Sequence, residues 1–174
     1  MAGQKSNREK AADIVRDAGG QIVGRTKLQK IAYLLELAGM GDGFRFEYRH
    51  YGPYSEELAD AIQMANAFGL VKELERQAEW GGVYSIYSVP GGPGNAARHP
   101  RTTFAELAAK IGAVELELAA TAAYLSVIEG YKDPWGETAR RKPEKANDKQ
   151  LRAAREAYRI LLKIPTPKPL PKIA

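Results

Sequence analysis

Three sets of polar residues have types and spacings that could do chemistry. The first is Tyr51-Gly52-Pro53-Tyr54-Ser55. Glycine permits an unusual backbone angle and proline fixes the next one, so this turn should be rigid. It aims two aromatic rings near the N-terminus of a helix. Free backbone N–H groups there could hold an anion, or the rings could simply seat one helix on another. The second set is Lys27 and Lys30, with Gln29 between them. The lysines are i, i+3 neighbours on a face away from Leu28 and Ile31, which suits a phosphate-contacting pair or an ordinary solvated face. The third set is basic and lies late in the chain. Arg140, Arg141, Lys142 and Lys145 are close together, and Arg152, Arg155, Arg159 and Lys163 follow i, i+3, i+7, i+11 along one helix stripe. Glu156 is the only acid after Asp148. Such a stripe can bind phosphate or an acidic protein surface, or it can be plain soluble surface.

Enzyme chemistry finds little to use. The chain has no cysteine, which removes disulfides, thiolate zinc sites, Cys nucleophiles and Fe–S clusters together. Its two histidines, His50 and His99, cannot make a three-His metal site. There is no GxxxxGK[ST], no GxGxxG after a strand, no HExxH and no GxSxG. Gly91-Gly92-Pro93-Gly94 is glycine-rich, but its proline removes an N–H donor and no Lys-Ser/Thr follows, so it reads as a linker. The expectation is a non-enzymatic chain without cofactor or metal.

Charge refines this. The 174 residues carry 26 Lys+Arg against 21 Asp+Glu, a formal +5. Residues 1–95 hold 11 cations and 12 acids, whereas residues 132–174 hold 12 and 5. The basic character belongs to the C-terminal quarter. The opening MAGQKSNREK has no apolar run after its charges, no stretch of 18 apolar residues occurs, and cysteine is absent. These features predict a cytoplasmic protein with no membrane association.

The elements that must position these residues follow from periodicity. Arg8–Ala18 predicts a helix with Ala11, Ile14, Val15 and Ala18 inward and Gly19-Gly20 as its stop. A second helix, with Thr26 as N-cap and Gln29 completing a capping box, buries Leu28, Ile31, Leu34, Leu35 and Ala38. Phe44–Tyr48 alternates as a strand, and His50–Tyr54 reads as a turn. Ser55 caps a third helix, with Leu58, Ala61, Ile62, Ala65 and Phe68 buried. Leu70–Glu75 and Val83–Val89 read together as a β-hairpin, although Lys72–Glu79 could also be helical on propensity. The order is that of a winged helix-turn-helix, with the third helix as recognition helix and the hairpin as wing. That third helix carries Glu56, Glu57 and Asp60 and neither Lys nor Arg, so it is poorly suited to phosphates and better suited to protein.

Beyond the linker, Phe104–Glu129 predicts one long buried helix, Asp133-Pro134-Trp135 opens a short one running to about Arg141, and Asp148–Lys163 is the last. The final eleven residues hold four of the ten prolines and predict a flexible tail. The fold class is mostly α with a small β-hairpin: a winged-helix-like core over 1–95, C-terminal helices of the same globule over 96–163, and the tail 164–174.

The run Gly24-Arg25-Thr26-Lys27-Leu28-Gln29-Lys30-Ile31-Ala32-Tyr33-Leu34-Leu35, followed by Phe46-Glu47-Tyr48, Tyr51-Gly52-Pro53-Tyr54-Ser55-Glu56-Glu57-Leu58 and Gly69-Leu70-Val71, resembles the YwgA-like family of prokaryotic proteins. That family looks related to the Panacea domain of SocA-like antitoxins, which share a "KLQK…Y…YGP" pattern. Leu116–Leu125, Trp135 and Ala153–Leu162 are similar to the C-terminal helices of YwgA-like proteins. The resemblance implies a small, mostly helical protein with a winged-helix-like core and a neutralising or adaptor role toward a protein partner such as a toxin. The expected function is therefore a protein-binding module, antitoxin-like or adaptor-like. The alternative is a DNA- or RNA-binding regulator that uses the wing and the basic stripe. Lys27, Gln29, Lys30, Tyr51, Gly52, Pro53 and Tyr54 are the candidate interaction or structural motif, and the eight cations from Arg140 to Lys163 are the candidate phosphate contacts.

Overall fold

Seven helices and five short strands make up the computed structural model, which describes residues 3–93 and 99–173. Helix α1 (Asn7–Asp17) starts where the Ser6 hydroxyl accepts the Glu9 N–H. Strand β1 (Gln21–Val23) lies between two glycines and was not expected; three residues are too few to display a period. Helix α2 (Arg25–Leu37) follows at once. Its N-cap is Gly24 at φ 104°, not Thr26, and Gln29 turns into the protein instead of completing a capping box. From Leu28 to Leu35 every residue of α2 is buried, because α2 packs against α4 (Pro100–Lys110), α5 (Ala113–Val127) and the turn region around β3 (Gly52–Tyr54).

The strand expected at Phe44–Tyr48 begins only at Glu47. β2 (Glu47–Arg49) pairs antiparallel with β3, in register Glu47↔Tyr54 and Arg49↔Gly52. Part of the expected turn is therefore a strand, and the turn itself is His50-Tyr51. Pro53 is tolerated because this two-stranded ribbon has only edges. Ser55 caps α3 (Glu56–Ala67) as predicted, its hydroxyl accepting the Leu58 N–H at 3.1 Å. Phe68, expected inside, is 59% exposed just past the helix end.

The expected hairpin is present as β4 (Lys72–Gln77) and β5 (Val83–Ser88), in register Lys72↔Ser88 and Gln77↔Val83. β1 adds to the other side of β5, giving sheet order β1-β5-β4. The linker that follows contacts Gly20, where a Cβ would stand 2.8 Å from the Pro93 nitrogen. Its last residue, Gly94, lies outside the described residues.

The expected long helix is two helices. α4 and α5 are separated by Ile111 and Gly112, both in extended backbone (ψ 140° and 149°). The apolar stripe runs in phase across the break and concealed it, although Gly112 is a poor helix former. α5 is buried continuously from Leu116 to Leu125 and packs on α2, α6 (Pro134–Arg141) and α7 (Asp148–Leu162). Arg101 of α4 joins the two halves. It reaches Asp17 at 2.7 Å, Asp42 at 3.0 Å and the Met40 carbonyl at 2.9 Å. The proline-rich tail forms no helix or strand, yet it is held: Leu170 is buried, the Lys168 N–H donates to the Ala38 carbonyl, and the Tyr158 hydroxyl donates to the Pro171 carbonyl. Among the described residues no helix is long and apolar enough to cross a membrane.

Candidate functional site

The two motifs singled out above meet face to face. Lys27, Gln29 and Lys30 each grip a different backbone segment. The Lys27 ammonium donates to the Ala109 carbonyl at 3.0 Å, where α4 ends and its last carbonyls lack helical partners. The Gln29 carboxamide binds Ser55 twice, accepting its N–H at 2.8 Å and donating to its carbonyl at 2.9 Å. The Lys30 ammonium donates to the Pro53 carbonyl at 2.6 Å. One turn of α2 thus fixes the end of α4, the cap of α3 and strand β3.

Lys30 is not part of a solvated pair. It is 1% exposed, and burial pushes its amine down to about 7, with Lys142 and Lys145 acting in the same direction and Glu117 opposing. Burial also lowers Lys27, with Glu115 opposing. The reason is that α2 has no free face, so a residue between two apolar positions still points at neighbouring elements.

Behind β3 lies a second layer. Glu117 of α5 is 2% exposed and receives Lys142 at 3.2 Å and Lys145 at 2.8 Å. Lys142 also donates to the His50 carbonyl at 3.2 Å, and the Lys145 ammonium sits 4.6 Å above the Tyr51 ring. Gly52, at φ +89°, is packed so tightly that a Cβ would stand 2.3 Å from Thr121 Oγ1. The glycine is required here twice, for its left-handed angle and for its missing side chain. The Tyr-Gly-Pro-Tyr turn is therefore clamped from one side by α2 and from the other by α5 and the residues after α6.

This divides the eight candidate phosphate contacts. Arg140 pairs with Glu137 at 2.5 Å. Arg141 pairs with Glu129 at 2.9 Å and Glu137 at 2.8 Å, and covers the Tyr48 and Tyr131 rings. These hydrogen bonds raise the Arg141 guanidinium and pull the Glu137 carboxyl down to about 2. Lys142 and Lys145 belong to Glu117. In α7, Arg155 lies over the Trp135 ring at 5.4 Å, while Arg152, Arg159 and Lys163 are exposed. Arg159 keeps a 3.3 Å contact with Glu156, in the range of weak surface pairs. The two basic groups thus sit in different surroundings, Arg141, Lys142 and Lys145 among carboxylates and the α7 stripe mostly toward solvent. Sequence reasoning missed Glu117, Thr121 and Arg101, and read nothing special into them, because their partners lie 25 or more positions away for Glu117 and 59 or more for Arg101.

The solvent side of α3 and the hairpin differs in chemistry. It carries Glu56, Asp60 and Gln63, with Met64 exposed among them. Asn66 Oδ1 accepts the Glu73 N–H at 3.1 Å and ties the end of α3 to β4. At the hairpin tip Trp80 is 77% exposed and Val83 62%. Among the described residues no group of three or more His, Asp or Glu could hold a metal ion.

No family model matches the chain. Over 58 residues it is 34% identical to the uncharacterized protein YwgA of Bacillus subtilis (strain 168). The match covers 33% of this chain and 35% of YwgA, so the chain spans about a third of its curated relative's length.

Proposed function

We propose that the chain is a cytoplasmic, non-enzymatic protein-binding module, antitoxin-like or adaptor-like, of the kind used in toxin–antitoxin or phage-defence systems. Its helix–strand–helix–helix–hairpin order, with β1 added to the hairpin, reads as a winged-helix-like core whose recognition helix is α3. The observation that carries the reading is the surface this helix and wing offer: acids with exposed Met64, Trp80 and Val83, and no cation on α3. An exposed tryptophan on a hairpin tip suits a protein pocket, since Trp is a frequent anchor of interfaces. Asp60 opposes a phosphate backbone, while Glu56 is paired with Arg49 at 3.2 Å and Glu57 with Arg45 at 3.1 Å. The Panacea likeness of the KLQK and YGP motifs supports the same direction.

Purification from the native cell tests it, with the product of the adjacent gene co-expressed as the first candidate. The expected result is a defined complex on gel filtration that Trp80→Ala with Val83→Ser disrupts, while the variant's thermal melt stays unchanged. Elution of the wild type as a partnerless monomer would count against the reading. The alternative, a DNA- or RNA-binding regulator, would use the wing and the basic stripe, where Arg140, Arg152, Arg159 and Lys163 are exposed.

A further inference from the structure

A cavity of about 490 Å³ opens between α2, α3 and the β4–β5 hairpin. That volume is in the range of small-molecule sites, roughly 300–1,000 Å³. Leu28, Ala59 and Ile62 supply an apolar lining, and the rings of Tyr51, Tyr54 and Tyr87 also line it. Of its three carboxamides, Gln29 is spent on Ser55, and two remain. Gln63 and Asn66 are i, i+3 neighbours on α3, so they sit one turn apart on one face. The Gln63 carboxamide makes no hydrogen bond among the described residues, and Asn66 uses only its Oδ1, which leaves its NH2 group free. The Tyr51 and Tyr54 hydroxyls have no hydrogen-bond partner among the described residues either. At the rim Arg25 and Glu73 neutralise one another at 3.3 Å, and Lys30, which also lines the cavity, is spent on the Pro53 carbonyl at 2.6 Å, so the cavity does not call for a bare anion.

A purely apolar ligand would strip water from two carboxamides and two hydroxyls without offering them a partner, which is costly. A small ion would leave the apolar lining and the rings unused. A flat heteroaromatic ring with a hydrogen-bonding edge uses both. Carboxamides offer a donor and an acceptor side by side, the pattern that matches the N6/N7 edge of adenine, and aromatic rings stack on any base. We propose that this cavity binds a single adenine-type nucleobase, held by Gln63 and Asn66 at its edge and by the tyrosines at its faces. The base can come from a free nucleotide or from an unpaired position in a strand, because both present the same ring.

Calorimetric titration of the full chain with adenosine 5′-monophosphate, cytidine 5′-monophosphate and a hexameric oligodeoxyadenylate tests the proposal. Adenosine monophosphate is expected to saturate the protein and to bind about tenfold more tightly than cytidine monophosphate, the difference one good bidentate edge makes. Ala59→Phe, which fills the cavity, should abolish this binding. Gln63→Ala, at an exposed position that cannot threaten the fold, should weaken it about tenfold. Equal affinity for the mononucleotide and the hexamer identifies the free nucleotide as ligand. A hexamer that binds more tightly, and is still lost in Ala59→Phe, identifies a base on a strand. Failure of both to saturate at millimolar concentration, or binding untouched by Gln63→Ala and Ala59→Phe alike, overturns the proposal.

Discussion

Arg140–Lys145 and Arg152–Lys163 each contribute four cations within a dozen residues, yet they do different things. In the first group every cation has a carboxylate within 3.2 Å, and two of them converge on the buried Glu117. In the second, one cation lies over Trp135 and three face solvent. The difference comes from the elements. α6 and the residues after it pass beside α5 and the β2–β3 turn, where carboxylates and carbonyls wait. α7 packs on α5 through its apolar side and turns its basic side outward. Density of charge in a sequence therefore says little about whether that charge holds the fold together or meets a partner.

The comparison is broken most directly at Glu117. Glu117→Gln leaves Lys142 and Lys145 beside Lys30 with no acid among them. Removing one partner of a buried charge pair costs about 3–5 kcal/mol, so urea unfolding should show a loss of that order and a melting point roughly 10 °C lower. Gln29→Ala should come next. It strands the buried N–H of Ser55, worth about 1–3 kcal/mol, while the Ser55 carbonyl keeps the Ala59 N–H at 3.1 Å, and a shifted urea midpoint would register the loss. Gly52→Ala should lose about 2 kcal/mol through its backbone angle and the contact with Thr121. Adding Thr121→Ala should recover only the contact part, and full recovery in that double variant would show that the angle is unimportant.

A smaller effect depends on pH. The Lys30 amine is near 7 in the folded chain and about 10.4 when unfolded. Between those values the unfolded chain holds a proton that the folded chain does not, so stability should rise as pH goes from 7 toward 10. Burial sets this, with Glu117 opposing it and Lys142 and Lys145 adding to it. In Lys30→Met the rise between pH 7 and 9 should flatten, and an unchanged rise would assign it elsewhere. The smallest effect belongs to the exposed group: Arg152→Ala with Arg159→Ala and Lys163→Ala should leave the melt within about 0.5 kcal/mol of wild type.

Much of this architecture was legible locally. Ser55 and Asp133-Pro134 announce helix starts by side-chain type, and both caps form as read. The hairpin β4–β5 and the continuous burial of α5 follow from their apolar patterns. What escaped depends on residues distant in sequence. Lys30 looks like a solvated lysine until Pro53 and Glu117 are placed around it. Gly52 reads as a turn former, whereas Thr121, 69 positions away, is the reason no side chain fits. The tail reads as free because nothing in it shows that Ala38 and Tyr158 will meet it. The recognised KLQK and YGP motifs were legible as motifs, but their roles as two halves of one clamp were not.

The central claim is that Arg141, Lys142, Lys145 and Arg155 serve the fold while the other cations of the C-terminal quarter face solvent, and the salt dependence of binding to duplex DNA in wild type and variants tests it most directly. Each phosphate contact contributes about −0.9 to the slope of log K against log salt concentration. Arg152→Ala with Arg159→Ala and Lys163→Ala removes three exposed cations and should make the slope shallower by up to about 3, whereas Arg141→Met should leave it unchanged. A slope untouched by the triple variant and flattened by Arg141→Met would contradict the account.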